Sequence, residues 1–449
     1  MKNSKNNQPM ETNPSNSRRK FCRNTALLTG AMVLPVTPMH SMMNSANDKK
    51  LKLALVGCGG RGTGAASQGL TADDNVELVA MADAFEDRLQ SSLENLEKQF
   101  EGTKKVNVKK KHRFVGFEAA QRAMDMADVV ILATPPGFRP QHFEYAVNTG
   151  KHIFMEKPVA TDVPGIQKVL ASAKIAKEKK LNVVVGLQRH YQNNYIEMAK
   201  QIKDGKVGKI VSGQVYWDSS GVWVRERQPG QSELEYQMRN WYYFNWLCGD
   251  HILEQHIHNI DVANWFLGEY PLSAQGMGGR QVRTGKEYGE IFDHHFVEFT
   301  YPSGAVIASQ CRHQPNTFNR VGEVFQGTMG SIEMNDAGSA YIRDLDGADV
   351  FKYRGKGDPN PYQVEHDRLF ASIRNNEVIN NAEYGAKSTM TAIMGRMATY
   401  SGKVILWEEA INSGLVLVPD NLTWDSKPPV LPDADGFYKI PMPGQTVVM

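Results

Sequence analysis

The fold is decided by the stretch Leu51-Lys-Leu-Ala-Leu-Val-Gly57-Cys-Gly59-Gly-Arg-Gly62-Thr-Gly64. Its first half is a short apolar run typical of a buried strand, and a glycine turn then leads into the start of a helix. Gly57, Gly59 and Gly62 have the spacing G-x-G-x-x-G, which permits a tight turn, a close approach of the backbone to a pyrophosphate, and close packing of helix on strand. The N–H groups at the helix N-terminus attract phosphate. The stretch therefore predicts a dinucleotide-binding unit.

A second apolar run, Val76-Glu-Leu-Val-Ala-Met-Ala-Asp83, ends in an acid 26 positions after Gly57. At the end of the second strand, a carboxylate accepts hydrogen bonds from the adenosine ribose, which favours NAD over NADP. The alternative is that Asp83 caps the following helix. Because Arg88 is close in sequence, NADP remains a second candidate cofactor.

Three further strand-like runs follow, near residues 127–133, 151–155 and 183–186, each separated by helical sequence. This alternation predicts a doubly wound parallel sheet, and we assign residues 48–188 to a Rossmann domain. Ligands bind at the carboxyl ends of the strands in such sheets. Thr134, Lys157 and other polar residues follow strand ends, although Lys157 could equally be a surface lysine.

Three motifs resemble the Gfo/Idh/MocA family, which contains glucose–fructose oxidoreductase and inositol dehydrogenase. They are the glycine turn, the Ala-Thr-Pro-Pro run before His142, and above all Gly150-Lys-His-Ile-Phe-Met-Glu-Lys-Pro158. The resemblance covers about residues 50–420 and implies an α/β fold, in which a second α/β domain with a large, mostly antiparallel open sheet spans residues 189–420. In such enzymes the lysine lies near the nicotinamide and supports proton transfer, a role that would fall on Lys157. The candidate cofactor-binding residues are Gly57, Gly59, Gly60, Arg61, Gly62, Asp83, Thr134, Pro135, His142, Glu156, Lys157 and Arg189.

A histidine-rich segment follows in the second domain. At helical spacing His251, Glu254 and His258 share one face, and Glu254 lies four residues before His258, so that the two side chains can hydrogen-bond. The carboxylate could then orient the imidazole as a general base. Structural or sugar-contacting histidines and a zinc site are the alternatives; we assign no metal. The family resemblance places an aspartate where Glu254 stands, so the chain departs from the family's pattern there by a longer carboxylate side chain. The catalytic candidates are Lys157, His258 and Glu254.

Residues 218–246 are rich in Trp, Tyr, Arg and Gln. Aromatic rings stack on sugars and arginines bind hydroxyls, so the segment predicts a carbohydrate-facing lid; an ordinary aromatic packing loop is the alternative. The candidate substrate residues are Tyr191, Trp223, Arg239, Trp241, His251 and His256.

Strand and turn signals alternate from Leu272 to Met334, with a hairpin turn at Tyr301-Pro-Ser-Gly304. They fit the open sheet that the resemblance implies, whose free face would form a homo-oligomer, a dimer or a tetramer. Residues 421–449 are Pro-rich and predict an arm that wraps a neighbour or another surface.

The first 47 residues have the layout of a twin-arginine export signal. Ser17-Arg-Arg-Lys-Phe21 precedes an apolar run over residues 26–36. The signal would place the protein in the periplasm, in an exported, Bacteroidetes-like subgroup of the family. A disordered basic N-terminus is the alternative, and the protein would then be cytoplasmic.

Composition excludes several other classes. The net charge is +2, no long basic run occurs, and no apolar stretch reaches the length of a membrane span. We therefore expect neither a nucleic-acid partner nor a transmembrane helix. The four cysteines include no C-x-x-C pair, which makes a zinc–thiolate site improbable, while a Cys248–Cys311 disulfide stays open.

The expected function is NAD(P)-dependent oxidation or reduction of a secondary hydroxyl of a sugar, glycoside or polyol, with C3 of a glycoside as one option. His258 would take the hydroxyl proton. Since free NAD is scarce outside the cytoplasm, an exported enzyme would hold its cofactor tightly. One alternative is an NAD-dependent glycosidase that cleaves through transient C3 oxidation and elimination. Another is a non-enzymatic relative that senses a sugar or nucleotide.

Overall fold

The strand that leads into the glycine turn lies inside a six-stranded sheet. The computed structural model describes residues 49–449, so the twin-arginine-type leader lies outside the described residues. All six strands run parallel, in the order β3-β2-β1-β4-β5-β6. They are β1 (Leu51–Val56), β2 (Val76–Asp83), β3 (Arg113–Val115), β4 (Val129–Leu132), β5 (His152–Met155) and β6 (Val183–Val185). Helices connect them: α1 (Gly60–Ala72), α2 (Glu86–Gln99), α3 (Ala119–Met124), α4 (Arg139–Asn148) and α5 (Val163–Glu178).

β1 is apolar on both faces because both faces of the sheet are covered. Leu53 and Leu55 belong to one buried cluster, whereas Ala54 and Val56 belong to another on the opposite face. Successive side chains of a strand point to opposite faces, so a doubly covered strand needs an unbroken apolar run. The predicted Rossmann-like domain is confirmed.

A nine-stranded sheet forms the second half of the fold, in the order β14-β13-β12-β11-β7-β10-β9-β8-β15. Only β7 and β10 pair in parallel; the other neighbours are antiparallel, which confirms a mostly antiparallel sheet. The strands are β7 (Ile210–Ser219), β8 (Ser273–Gly279), β9 (His294–Thr300), β10 (Val306–His313), β11 (Arg320–Gly327), β12 (Ser331–Asn335), β13 (Ser339–Arg343), β14 (Asp349–Arg354) and β15 (Ile405–Leu406). The predicted hairpin turn joins β9 to β10, and Gly304 takes a positive φ of 85° there.

One face of this sheet is packed and the other is open. Along β9, His295, Val297 and Phe299 are buried, whereas Phe296 between them is exposed. Helices cover the packed face, and the hydroxyl of Thr399 lies 2.9 Å from His295 Nδ1. The helices of this half are α6 (Asn193–Lys203), α7 (Glu233–Arg239), α8 (Asn245–Cys248), α9 (His251–Glu254), α10 (Ile257–Leu267), α11 (Pro361–Arg374), α12 (Ala382–Ser401) and α13 (Trp407–Ala410).

The two halves share buried surface. Leu369 and Phe370 of α11 pack in the same cluster as Leu53 of β1, so a helix late in the chain completes the first domain's core. The C-terminal arm, residues 421–449, has no helix or strand and packs against its own chain, where Tyr438 is buried beside Phe244.

Two further sequence expectations can be compared with residues 49–449. No helix in this part of the chain combines the length and apolarity needed to cross a bilayer. Cys248 and Cys311 are both buried as free thiols, so the disulfide that the sequence left open is not formed.

Candidate active site

A cleft of about 430 Å³ lies at the carboxyl ends of the parallel strands. The glycine turn, the ends of β2, β3 and β4, and five residues between 223 and 241 of the second domain line it. Its position matches the crevice where open α/β sheets bind ligands.

The glycine turn is shaped to receive a phosphate group. Gly57 has a φ of +94°, and a Cβ there would lie 2.6 Å from the carbonyl carbon of Ala133. A Cβ on Gly62 would lie 1.9 Å from the Gly57 oxygen, so this glycine allows α1 to pack against the turn. Gly59 and Gly60 face open space, because no heavy atom of the described part of the chain lies within 4 Å of a Cβ built on either. The first N–H groups of α1 therefore face a space that fits the pyrophosphate of NAD.

Asp83 lies at the end of β2, in the lining of the cleft. Its carboxylate accepts hydrogen bonds from the backbone N–H of Cys58 at 2.7 Å and of Phe85 at 2.9 Å. Burial raises the pKa of Asp83 despite these bonds. The two backbone donors fix the carboxylate beside the glycine turn, where it can receive the ribose hydroxyls. The position of Asp83 suits NAD, and it can be explained without the alternative that Asp83 caps the following helix.

Thr134, Pro135 and His142 line the cleft after β4, next to the glycine turn. The Thr134 hydroxyl lies 3.2 Å from His142 Nδ1. Burial, with the nearby charge of Arg139, lowers the pKa of His142 to about 4, so the ring is neutral at pH 7. These residues form an uncharged wall.

Arg61 connects the glycine turn to the Glu-Lys-Pro motif. It lines the cleft, pairs with Glu156 through Nε, and donates from a second nitrogen to Glu365 at 3.2 Å. Its guanidinium also lies 4.9 Å from the centre of the Tyr362 ring. Glu156 is thus engaged with Arg61, and its part in the site is to fix that arginine.

Lys157 is held by Glu254. Its Nζ donates to the Glu254 carboxylate at 2.6 Å and also to the Glu254 backbone carbonyl, and both side chains are largely buried. The Lys157–Pro158 peptide is cis. The expected Glu254–His258 hydrogen bond is not among the contacts of the described residues. The predicted single helix is interrupted after Glu254, between α9 and α10, so the two side chains do not have regular helical spacing.

His258 is buried and remains close to the lysine. Burial, reinforced by the charges of Lys157 and Arg189, holds the pKa of His258 well below its usual range. The imidazole is therefore neutral at pH 7 and can accept a proton. Its ring stacks on Trp217 with 5.8 Å between centroids. Among residues 49–449, His258 Nδ1 and Trp217 Nε1 are buried and have no hydrogen-bond partner, which marks this spot as able to receive a polar ligand.

Two predicted ligand-binding residues are structural. Arg189, assigned to the cofactor, is fully buried and pairs with Glu323 of β11, which also accepts from Tyr195 at 3.1 Å. Tyr191, assigned to the substrate, donates to Asn381 at 2.7 Å and packs against the first domain's core. Neither lines the cleft, because the buried faces of the two domains meet around them.

Part of the aromatic segment lines the cofactor cleft. Trp223, Arg239 and Trp241 line the cleft together with Asp83 and Phe85. We call this region, where the loops after β2 and β3 carry Asp83, Phe85 and Phe117, the adenosine end. Arg239 lies at this end, with its guanidinium 4.0 Å from the centre of the Phe85 ring, which corrects its assignment to substrate. Trp223 and Trp241 line the same cleft, and their assignment to substrate stays a prediction.

His251 and His256, also assigned to substrate, lie in the core. Asp250 Oδ1 lies 2.8 Å from His251 Nδ1, and His256 Nε2 lies 2.8 Å from the Ser309 hydroxyl. Asp250, His251 and His295 are close enough together to suggest a metal site. However, Asp250 already accepts from its neighbours, including Tyr400 at 2.5 Å and the Phe292 N–H at 3.0 Å. Asp250 therefore belongs to a hydrogen-bonded network in the core.

Sequence reasoning missed two polar residues. Arg139 is buried and donates to the Pro158 carbonyl, which fixes the turn that carries Lys157. Tyr242 lies in the aromatic segment, but its hydroxyl is buried without a protein partner and its ring stacks on His313 at 5.8 Å. The Arg-Pro start of α4 was the only available signal for the first. None distinguished Tyr242 from its aromatic neighbours.

Comparisons with known proteins show the family of the chain. The family model "Oxidoreductase family, NAD-binding Rossmann fold" of Gfo/Idh/MocA matches residues 51–187. The model "GFO/IDH/MocA C-terminal domain" matches residues 195–333. Together the two models cover more than half of the chain.

Individual relatives are more distant. The chain is 25% identical to inositol 2-dehydrogenase of Rhizobium meliloti over 218 residues, which are 48% of this chain and 59% of that protein. It therefore spans less than two thirds of that curated relative. Aldose-aldose oxidoreductase of Caulobacter crescentus, solved with glycerol, superposes with a TM-score of 0.62 at 20% identity, over 80% of this chain and 100% of that one. Scyllo-inositol dehydrogenase of Lactobacillus casei, solved with NAD(H) and scyllo-inositol, gives 0.60 at 19%, over 80% and 100%. These two structures support the fold.

Proposed function

Because the chain belongs to the Gfo/Idh/MocA oxidoreductase family, we propose that it is an NAD-dependent oxidoreductase acting on a secondary hydroxyl of a sugar, glycoside or polyol. One observation carries the proposal. A lysine held by Glu254 and a neutral buried histidine lie close together, and the charge of Arg61, which lines the cleft shaped for NAD, also acts on that histidine. The inositol dehydrogenases among its relatives support the substrate class.

The cofactor would be held by the glycine turn, Asp83 and the wall around Thr134. Bound there, NAD supplies a two-electron acceptor for the carbon that bears the hydroxyl. The residues of the chain bind and orient the cofactor: they hold its phosphates at the start of α1, provide an uncharged wall at Thr134, and fix its ribose.

Proton transfer falls to His258. Its imidazole is neutral at pH 7 and can take the hydroxyl proton as the carbon is oxidised. Lys157 would donate a hydrogen bond to the substrate oxygen and stabilise the negative charge that develops there. Glu254 orients Lys157 rather than His258, which revises its role from base partner to lysine-positioning residue.

Trp217 provides the aromatic surface for the substrate. Its ring stacks on His258, whereas Trp223 and Trp241 line the cofactor cleft. A sugar ring placed over His258 would therefore contact Trp217, and its hydroxyls could pair with the free Nε1–H.

Location and assembly are part of the proposal. The twin-arginine-type leader supports export to the periplasm, where a tightly bound NAD would be reduced and reoxidised in place, and membership of an exported, Bacteroidetes-like subgroup. The open face of the nine-stranded sheet, with Met277 and Phe296 exposed on adjacent strands, supports a homo-oligomer through that face.

The test begins with the purified mature protein. Denaturation followed by nucleotide analysis measures bound NAD, and single-turnover absorbance at the nicotinamide band then screens polyols, sugars and glycosides. Reduction of bound NAD with formation of a ketone from one of them is the expected result. Release of free aglycone would instead support the glycosidase, which the known relatives do not favour. Binding of NAD and sugar without any reduction would support a sensor and overturn the proposal.

A further inference from the structure

The adenosine end of the cleft is held by a residue from the far end of the chain. Trp424 belongs to the C-terminal arm, yet its ring lies 5.4 Å from the ring of Phe85 and 4.9 Å from that of Phe117. Phe85 follows β2 and Phe117 follows β3, and both line the cleft. One indole thus contacts both loops that surround the adenosine position.

The second domain contacts the same place from the other side. The guanidinium of Arg239 lies 4.0 Å from the centre of the Phe85 ring. It also donates to Asp87 of α2 at 3.1 and 3.2 Å, and to Glu235 at 2.9 Å. Phe85 is therefore fixed by Arg239 as well as by Trp424, and neither residue belongs to the Rossmann domain.

The arm that carries Trp424 is itself anchored. The Leu417 N–H, just before the arm, donates to Asp162 at 2.8 Å. Beyond Trp424, the Tyr438 hydroxyl donates to Glu233 at 2.5 Å, and the Val430 carbonyl accepts from Gln237 at 2.8 Å. Both later anchors are on α7, the helix that carries Arg239.

We propose that Trp424 is a positioning residue for cofactor retention, which holds the loops carrying Phe85 and Phe117 against bound NAD. This rests on the proposed function, since it takes NAD as the ligand. The loops after β2 and β3 have to separate for the adenosine to leave, and separation would break the contacts of the indole. Slow release is therefore a property of the C-terminal arm and not of the Rossmann domain alone.

The experiment measures release of NAD directly. The purified full chain is loaded with NAD, freed of excess nucleotide by desalting and mixed with charcoal, and the retained NAD is quantified over time. Trp424→Ala removes both aromatic contacts, so we expect it to accelerate release by about tenfold or more. Trp424→Phe keeps an aromatic ring and should restore most of the retention.

Phe437→Ala is the matched control. Phe437 lies on the same arm, is exposed to a similar extent, 42% against 40% for Trp424, and contacts Lys286 instead of the cleft loops. Release from this variant should match the unmodified protein. If Trp424→Ala does not fold, Trp424→Leu provides a milder truncation with the same expected direction.

The outcomes separate the two proposals. Equal release rates for the folded Trp424 variants and the unmodified protein would overturn the role of Trp424 while leaving the oxidoreductase proposal intact. A similar acceleration in Phe437→Ala would also overturn it, because the effect would belong to the arm in general. Failure of the unmodified chain to bind NAD at all would refute the proposed function, and this inference with it.

Discussion

Replacement of Lys157 by methionine tests the centre of the proposed mechanism. The methionine keeps most of the apolar stem but removes the ammonium that donates to Glu254 at 2.6 Å. If Lys157 stabilises charge on the substrate oxygen, single-turnover reduction of bound NAD should slow by about 10²–10³-fold. NAD content after purification should not change, because Lys157 is not part of the glycine turn.

The same variant has a predictable cost in stability. The Glu254 side chain is only 11% exposed, so loss of its partner leaves a nearly buried carboxylate unpaired. Removing one member of a buried ion pair costs about 3 kcal/mol. Adding Glu254→Gln removes the stranded charge, so the double variant should regain much of this stability while remaining inactive. Denaturant unfolding of the single and double variants measures this difference.

The pH dependence of the residual activity of Lys157→Met gives a further test, because the direction of its shift can be predicted. The charge of Lys157 adds to burial in lowering the pKa of His258. Without that charge the pKa of His258 rises, so the loss of activity on acidification should begin at a higher pH in Lys157→Met. A single-turnover rate within about threefold of the unmodified protein would refute the assigned role. A double variant that regains both stability and activity would also refute it, since the defect would then be structural.

Three further substitutions have defined outcomes. His258→Asn should lower single-turnover reduction by about 100-fold while NAD content stays constant; unchanged turnover would remove it as the base. Gly62→Ala places a Cβ 1.9 Å from the Gly57 oxygen, so nucleotide analysis of the purified variant should find NAD strongly depleted, and full occupancy would contradict the packing argument. Burial raises the pKa of Glu290 to about 7 in the folded protein. As the pH rises from the unfolded-state pKa of this glutamate through 7, its ionisation therefore lowers the free energy of unfolding. Glu290→Gln should therefore stabilise the protein by about 2 kcal/mol more at pH 8 than at pH 5 in urea unfolding; an equal effect at both would be inconsistent with a raised pKa.

The segment that contains Glu254 and His258 shows what local residue spacing can and cannot predict. Residue spacing placed Glu254 and His258 on one helical face, and the carboxylate was expected to orient the imidazole. The helix instead ends at Glu254 and a new one begins at Ile257. The carboxylate is then free to pair with Lys157, a residue 97 positions earlier. Periodicity could not reveal this partner, because it comes from the packing of one domain against the other.

The aromatic segment likewise shows that local sequence does not determine where in the cleft a residue lies. Its composition indicated ligand contact, and Trp223, Arg239 and Trp241 do line the cleft. Which half of the cleft they face depends on how the second domain lies over the loop carrying Phe85. Arg189 is the opposite case: its place after a strand suggested cofactor binding, but Glu323 on β11 pairs with it in the buried interior.

The sequence by itself determined the dinucleotide cleft, because the glycine turn, the apolar strand before it and Asp83 interact within one local βαβ unit. The spacing of these residues fixes their geometry, and the structure has the glycines at the turn and the acid at the end of β2. Only the tertiary structure decided which carboxylate holds Lys157 and which aromatic rings enclose the adenosine end. Those contacts join residues far apart in the chain, and their partners are chosen by the packing of buried surfaces, which no local pattern encodes.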